Sequence, residues 1–428
     1  MTSRSLETSR DALQQFHAAL FEQTLRNARR APFYDESLTG FANDIPLSLI
    51  HTLPLSFRQD IIREGPRAQV REAIWDVKFT GGSSGAPFPH IISLQEQDFL
   101  HRFFTTVHEL PGRRYRRGIL FQNTHVTYER AIATPIRFHR LNINATGSFR
   151  YLIDTLLAER FEEEQVEPYC TILCGGQRAL WALTEAARQW RKPGFDNPLR
   201  DIFTYGAYLR PNLKDSFASF WSATVTDRYG LSEIIGGATE DANTGWYYFD
   251  PVSIPEVLSV KTRQPLREGI GVVVLTALAP FQTAQPLIRY WTDDLAIVTH
   301  KSESFPGRLA IRPLGRLAES IPDPDSDGWL LTPDVLFSAL DERRDIGRKS
   351  LFQDTTQVLD HHKIGYPLYK LEFLNERHVQ LILASSKTSQ WHGHPEAITE
   401  ALLDCCPSLT SAIREKRIQF SVKIASQT

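Results

Sequence analysis

Four short stretches of this 428-residue chain carry side chains suited to handling a phosphorylated ligand. The first is Phe79-Thr80-Gly81-Gly82-Ser83-Ser84-Gly85-Ala86-Pro87. Glycines let a backbone take positive φ and approach a ligand closely. Successive amides can then point into one concavity and bind an anion. The hydroxyls of Thr80, Ser83 and Ser84 add neutral donors. Taken alone, a Gly/Ser run reads first as a plain linker. It is not a Walker loop, because the Gly-Lys-Ser/Thr ending is missing.

The second stretch is Tyr229-Gly230-Leu231-Ser232-Glu233. A tyrosine ring stacks on a base with its apolar face while its hydroxyl finds a partner. A carboxylate four residues on can hold a hard divalent cation near phosphates. The third, Arg289-Tyr290-Trp291-Thr292-Asp293-Asp294-Leu295, closes on carboxylates that can accept hydrogen bonds from a ribose diol. The fourth is Gly315-Arg316-Leu317. Each of these, read singly, is also an ordinary turn with a buried ring or a surface ion pair.

These residues need elements to hold them. Leu13, Phe16, Leu20 and Leu25 recur at helical spacing over residues 11–30. A strand is expected at 73–80, running into the Gly/Ser loop. Helices are expected at 94–109, 149–164 and 177–190. Thr171-Ile172-Leu173 reads as a buried strand ending in the Gly175-Gly176 turn. Residues 270–277 and 287–291 are β-branched and aromatic, hence strands. This alternation predicts an α/β fold: a large N-terminal domain on mixed sheets with flanking helices. Prolines, Gly328 and acidic residues mark a linker near 313–328. A helix at 334–345, strands at 366–374 and 378–384, a helix at 396–404 and a strand at 417–424 follow. They make a small C-terminal α+β cap. The expected boundaries are 1–314, a hinge at 315–327, and 328–428.

Composition narrows the function classes. The chain is 42% hydrophobic and 23% charged, an ordinary globular balance. Its 48 basic and 50 acidic side chains give a net charge of −2, which argues against nucleic acid or an anionic membrane as partner. The longest apolar stretch, near 271–280, is far shorter than the ~20 residues of a membrane span. The first thirty residues lack the apolar segment of a signal peptide. A cytoplasmic protein is expected, with a homodimer as the commonest assembly.

In order and spacing together, the four stretches resemble the adenylate-forming superfamily of acyl-CoA synthetases and adenylation domains, and within it the phenylacetate–CoA ligase-like branch. There the loop reads Thr/Ser-Ser-Gly-Thr/Ser-Thr-Gly-Lys-Pro, and the later motifs Tyr-Gly-Leu-Ser-Glu, Arg-Tyr-Arg-Thr-Arg-Asp-Leu and Gly-Arg-Ser-Asp-Asp. Weaker similarities lie in Leu13 onward to Tyr34, in Leu53-Pro54 with Arg58 and Asp60, and in Cys174-Gly175-Gly176-Gln177. The resemblance covers roughly residues 13–320. It implies that Thr80, Gly81, Gly82, Ser83, Ser84 and Gly85 hold the phosphates of ATP. It implies that Tyr229, with Gly230 and Ser232, lies against adenine, that Glu233 ligates Mg²⁺ and that Asp294 takes the ribose hydroxyls. Arg316 would contact the nucleotide at the hinge, and Gly175, Gly176 and Gln177 would line the adenine and acyl pockets. Phe138 and His139 would line the acyl pocket. Thr80, Glu233 and Arg316 would be catalytic.

The implied reaction is ATP-dependent activation of a carboxylic acid, followed by transfer to coenzyme A, a carrier-protein thiol or an amine. Three departures stand against it. Ala86 replaces the loop lysine, Ala318-Glu319 replaces the Asp-Asp after Gly-Arg, and no Gly-Lys signature precedes Thr428. Lys416 and Lys423 are the nearby candidates for a C-terminal lysine, outside any matching motif. Alternatives are therefore an atypical amide- or other nitrogen-bond-forming ligase in specialised biosynthesis, and a non-catalytic nucleotide-binding homologue.

Other constellations read more plainly. Cys170, Cys174, Cys405 and Cys406 lack zinc-site spacing and are expected to be buried and inert. His361-His362 and His392/His394 read as solvated loop residues, and His125 falls where relatives place pocket aromatics. Arg113-Arg114-Tyr115-Arg116-Arg117 reads as a solvated loop or as a grip on an acidic carrier or on coenzyme A's 3′-phosphate.

Overall fold

A computed structural model describes residues 10–42, 44–71, 74, 76–79, 88–96, 98–99, 115–122, 136–142, 147–300, 305, 308–343, 345–349, 364–385 and 395–425. The 80–87 loop, Arg113, Arg114, His125 and the 361–362 and 392–394 histidines lie outside the described residues.

Three short strands come first: β1 (Ser56–Phe57), and a hairpin of β2 (Asp76–Phe79) and β3 (Pro89–Ile92) whose facing ends bracket residues 80–87. A mixed twelve-stranded sheet then organises most of the chain. Its parallel half holds β4 (Tyr115–Gln122), β5 (Ile136–Asn142), β6 (Val166–Gly176), β7 (Asp201–Tyr205) and β8 (Thr224–Tyr229). Its antiparallel half holds β9 (Ala238–Glu240), β10 (Tyr247–Phe249), β11 (Ser253–Leu258), β12 (Glu268–Ala277), β13 (Tyr290–Thr299) and β14 (Ala310–Arg316). The spatial order is β5-β4-β6-β7-β8-β9-β10-β14-β13-β12-β11, with β1 parallel to the start of β13.

The helix Gln177–Trp190 follows β6 and buries Leu180, Trp181, Leu183 and Ala186 against the parallel half. The helix Pro211–Trp221 follows β7. It opens with proline at its first position and closes on left-handed Ser222, and it adds Leu213, Phe217, Phe220 and Trp221 to the same core. β12 carries Val272 to Leu275 buried on both faces, which is why its apolar run is unbroken. The helices expected at 11–30 and 177–190 appear as Arg10–Ala28 and Gln177–Trp190. The helix expected at 149–164 stops early. It runs Gly147–Tyr151 and one π turn, Leu152–Leu156.

Several strands escape sequence reading, β4, β5, β7 to β11 and β14 among them. β8 carries Asp227 and Arg228, charges that hide its alternation. The structure pairs both: Thr204 and Tyr247 donate to Asp227, and Arg228 bridges to Asp250. The expected linker also differs. β14 runs through Arg316, a 3₁₀ turn spans Leu317–Glu319, and β15 (Ile321–Pro322) pairs with β16 (Trp329–Leu331). The Pro/Asp-rich stretch between them is a turn built on Asp323, which accepts from the Asp325 amide, the Ser326 hydroxyl and Arg417.

A separate core gathers Ile321, Leu330, Leu336, Leu381, Leu402 and Leu409. It lies between the helices Pro333–Asp341, Pro395–Cys405 and Pro407–Arg414 and the strands β19 (Tyr369–Asn375), β20 (His378–Ala384) and β21 (Gln419–Ala425), with β17 (Arg348–Lys349) and β18 (Tyr366–Pro367) as a short extension. No helix among the described residues is long and apolar enough to cross a membrane.

Between β8 and β9 the chain doubles back so tightly that a Cβ on Gly237 would meet the Tyr229 carbonyl oxygen closer than real Cβ atoms come. Backbone cannot yield as a side chain does. Gly237→Ala is therefore expected to cost roughly 1–3 kcal/mol in urea denaturation. Gly147→Ala, at an open helix start with nothing within 4 Å, should stay within about 0.5 kcal/mol of the parent. Equal midpoints for the two variants would contradict this account.

Candidate functional site

Parallel strands present ligands at their carboxyl ends, where the direction of connection changes. Here β8 is the last parallel strand and β9 the first antiparallel one, so the change falls at Tyr229-Gly230. From the other half of the sheet, β13 and β14 bring Asp294 and Arg316 to face each other as ladder partners. The aim of Asp294 has a local cause. The β12–β13 register shifts between Val272 and Val274, and Asp293 takes φ of 60°. This bulge re-aims the next side chain. Thr292 holds it, donating to the Val273 carbonyl and accepting from the Asp294 amide.

The three side chains meet. Tyr229 donates to Asp294 Oδ2 at 2.9 Å, and Arg316 Nε lies 3.2 Å from Oδ1. Asp294 is 7% exposed, whereas the Arg316 side chain is about half exposed, at 47%. Burial pushes the Asp294 carboxyl up to about 6, against the opposing pull of Arg316 and the Tyr229 hydroxyl; the charge of nearby Glu233 adds to the rise. Burial and the Asp294 charge together raise the Tyr229 phenol well above its ordinary value, so it keeps its proton and remains a donor.

Glu233 is 8% exposed and sits on the loop between β8 and β9. Gln282 clamps that loop, donating to the Glu233 carbonyl at 3.0 Å and accepting from the Ile235 amide. The Glu233 carboxylate receives Arg58 Nη1 at 2.7 Å. The Arg58 guanidinium also lies 4.9 Å from the ring of Phe88, the residue that follows the 80–87 loop, and it bears on the Tyr290 phenol. Arg58 and Tyr290 thus join the site, although neither was assigned a role from sequence. Arg289 is structural: it forks onto Glu256 and donates to the His51 and Leu53 carbonyls.

Other expected residues stand apart. β7 lies between β6 and β8, so Gly175, Gly176 and Gln177 are two strands from Tyr229, roughly 10 Å at sheet spacing. Gly175 is explained by packing, since a Cβ there would press on the Phe121 carbonyl oxygen and on Leu180. Gln177 is buried and donates to the Tyr208 carbonyl at 2.9 Å. The turn bordering Tyr229 is instead Tyr205-Gly206-Ala207-Tyr208, with Gly206 at φ of 99°. Its signal was in the sequence: a strand-like Ile202-Phe203-Thr204-Tyr205 run ending in glycine. Phe138 and His139 lie on edge strand β5, roughly 19 Å away across four strand spacings. His139 contacts Arg117 at 3.2 Å and the Phe161 ring at 4.6 Å.

Arg116 and Arg117 are not in a loop. They lie in β4, paired with Asp201 and Glu163. Burial raises the Cys170 and Cys174 thiols to about 12, as befits inert cysteines, but Cys405 is exposed. Lys416 occupies a left-handed turn and Lys423 lies on β21. The described residues hold no group of three or more potential metal ligands.

Comparison with known proteins bears on the fold. No protein-family model matches the chain. A phenylacetate-coenzyme A ligase from Thermus thermophilus is 40% identical over 92 residues, a stretch covering 20% of this chain and 20% of that protein. An open form of 2-hydroxyisobutyryl-CoA ligase, solved with 2-HIB-AMP and CoA, superposes with a TM-score of 0.65 at 14% identity. That match covers 100% of this chain and 89% of the other. The acyl acid amido synthetase AtGH3.15, in complex with 2,4-DB, gives 0.55 at 14% identity, over 99% and 88% of the two chains.

Asp294 also yields a stability test. Its folded value of about 6 lies above the ordinary carboxylate value, so the folded state binds this proton more tightly than the unfolded chain does. That contribution is present in full below about pH 4 and is lost as pH rises through about 6. Asp294→Asn lacks it. The unfolding free energy of the variant relative to the parent should therefore grow between pH 4 and 7, by on the order of 2–3 kcal/mol. A difference independent of pH would refute the assignment.

Proposed function

Because the chain has the fold of the adenylate-forming superfamily, we propose that it activates a carboxylic acid with ATP and passes the acyl group to the thiol of coenzyme A. The observation that carries this is the meeting of Tyr229, Asp294 and Arg316 at the switch point, with Glu233 and Arg58 beside them. In this reading Tyr229 covers adenine, and Asp294 accepts from the ribose hydroxyls beside the half-exposed Arg316. The Thr80–Gly85 loop takes the phosphates by virtue of its sequence alone. The hinge between the two units lies at Arg316 to Ser320, where the large sheet ends and the second core begins.

The reaction asks for positioning and charge neutralisation rather than a side-chain nucleophile. A carboxylate oxygen attacks the α-phosphorus. The bond to the bridging oxygen breaks, and pyrophosphate leaves with the electron pair. A thiol then attacks the acyl carbon of the acyl-adenylate and AMP departs. Among the described residues Arg58 pairs with Glu233, and in this reading it supplies the positive charge that the loop, with Ala86 in place of lysine, lacks.

Mg²⁺ fits Glu233 as a single buried carboxylate ligand, because such ions keep waters and bind mainly through one or two carboxylates and the substrate's phosphates. Bound there, the ion would neutralise phosphate charge. Coenzyme A is preferred as acceptor because the 40%-identical stretch belongs to a coenzyme A ligase. An amine acceptor is the competing outcome.

With ATP, Mg²⁺ and a panel of aryl, fatty and hydroxy acids, pyrophosphate release should depend on the acid. Glu233→Gln, Asp294→Ala and Arg58→Ala should each lower the rate by roughly 10²-fold, with Arg58→Lys recovering part of it. Product masses after adding coenzyme A should show a thioester. Undiminished rates in all three variants would overturn the residue roles, and an amide product would overturn the acceptor.

A further inference from the structure

The turn after β7 has little to stiffen it from within. Gly206 is exposed with a positive φ, and Ala207 and Tyr208 are only partly buried. What fixes it comes from elsewhere in the chain. Gln177 donates to the Tyr208 carbonyl. The Tyr208 ring meets Phe337 edge-on at 6.5 Å. Arg210, where the turn enters the next helix, places Nε 2.8 Å from Asp341 Oδ2 and Nη1 2.9 Å from Glu342.

Phe337 and Asp341 belong to the helix Pro333–Asp341 of the C-terminal core. Asp341 also receives Arg178 Nη2 at 2.8 Å and Arg348 Nη1 at 3.1 Å. Arg178 directly follows Gln177 and is sandwiched among Trp181, Phe337 and Tyr366. Arg178 is 1% exposed and Asp341 3%. A single buried carboxylate thus binds the turns after two successive parallel strands, β6 and β7, to the C-terminal unit. Without its charge, three guanidinium groups would face one another in a dry interface and drive the turns apart.

We infer that Asp341 is a positioning residue for nucleotide binding: the docked C-terminal unit, through Asp341 and Phe337, sets the turn at 206–210 that borders Tyr229. The inference rests on the reading that Tyr229 and Asp294 face the nucleotide. It means that affinity for the adenosine half of the ligand depends on a carboxylate in the other unit.

The test uses the full chain and AMP, which engages only that half of the site. Calorimetric titration is run at a temperature where circular dichroism shows each variant folded. Asp341→Asn should bind AMP on the order of tenfold more weakly, and Phe337→Ala should weaken it severalfold. Ile398→Val, which trims the same C-terminal core away from the cluster, should bind as the parent does; weakening by it equal to that of Asp341→Asn would assign the effect to stability and overturn positioning. If Asp341→Asn does not fold, Phe337→Ala decides. Binding by the substituted proteins within twofold of the parent would overturn the inference and leave the proposed function standing. A parent that binds neither AMP nor ATP would overturn both.

Discussion

The carboxylate of Asp294 is the point at which the two halves of the large sheet meet. Tyr229 reaches it from the end of the parallel half, and Arg316 from the end of the antiparallel half. A buried carboxylate is costly unless it is paired and hydrogen-bonded. The fold accepts that cost here, as the upward shift of its proton affinity records. A bulge in β13, a left-handed Asp293 and the Thr292 hydroxyl all serve to aim this one side chain. The tight return at Gly236-Gly237 serves the same end from the other side, by letting the chain fold back over Tyr229.

Three other charged clusters follow one pattern: each is bound by groups from distant elements, and each fixes a turn. Arg58 ties the N-terminal region to the Glu233 loop. Arg289 pins the residues before β1 to the start of β13. Asp341 pins two βα turns to the C-terminal unit. Interactions of this kind contribute little net stability compared with apolar packing of equal volume, but they make alternative arrangements expensive. A site assembled from loops gains geometric definition in this way.

Much of this was legible in the chain because local pattern and tertiary fate coincide. The unbroken apolar run of β12, the alternation in β20 and the amphipathic helix Gln177–Trp190 announced themselves. Tyr229, Glu233, Asp294 and Arg316 were also legible, since spacing within short motifs survives folding. The misassigned and missed parts depend on partners far along the chain. Arg58 finds Glu233 across 175 residues, and Arg178 finds Asp341 across 163. β8 hides behind charges that Thr204, Tyr247, Thr239 and Asp250 make acceptable in a sheet. Gly175 to Gln177 stand two strands from Tyr229 because strand order, not chain order, decides which turn borders that residue.

The central claim is that the switch point between β8 and β9 receives an adenine nucleotide. Photolabelling with 8-azido-ATP, followed by mapping of the modified peptide, addresses it most directly. The account predicts saturable labelling within 205–210 or 229–237, suppressed by unlabelled ATP. Labelling confined to other segments, or insensitive to competing ATP, would contradict it.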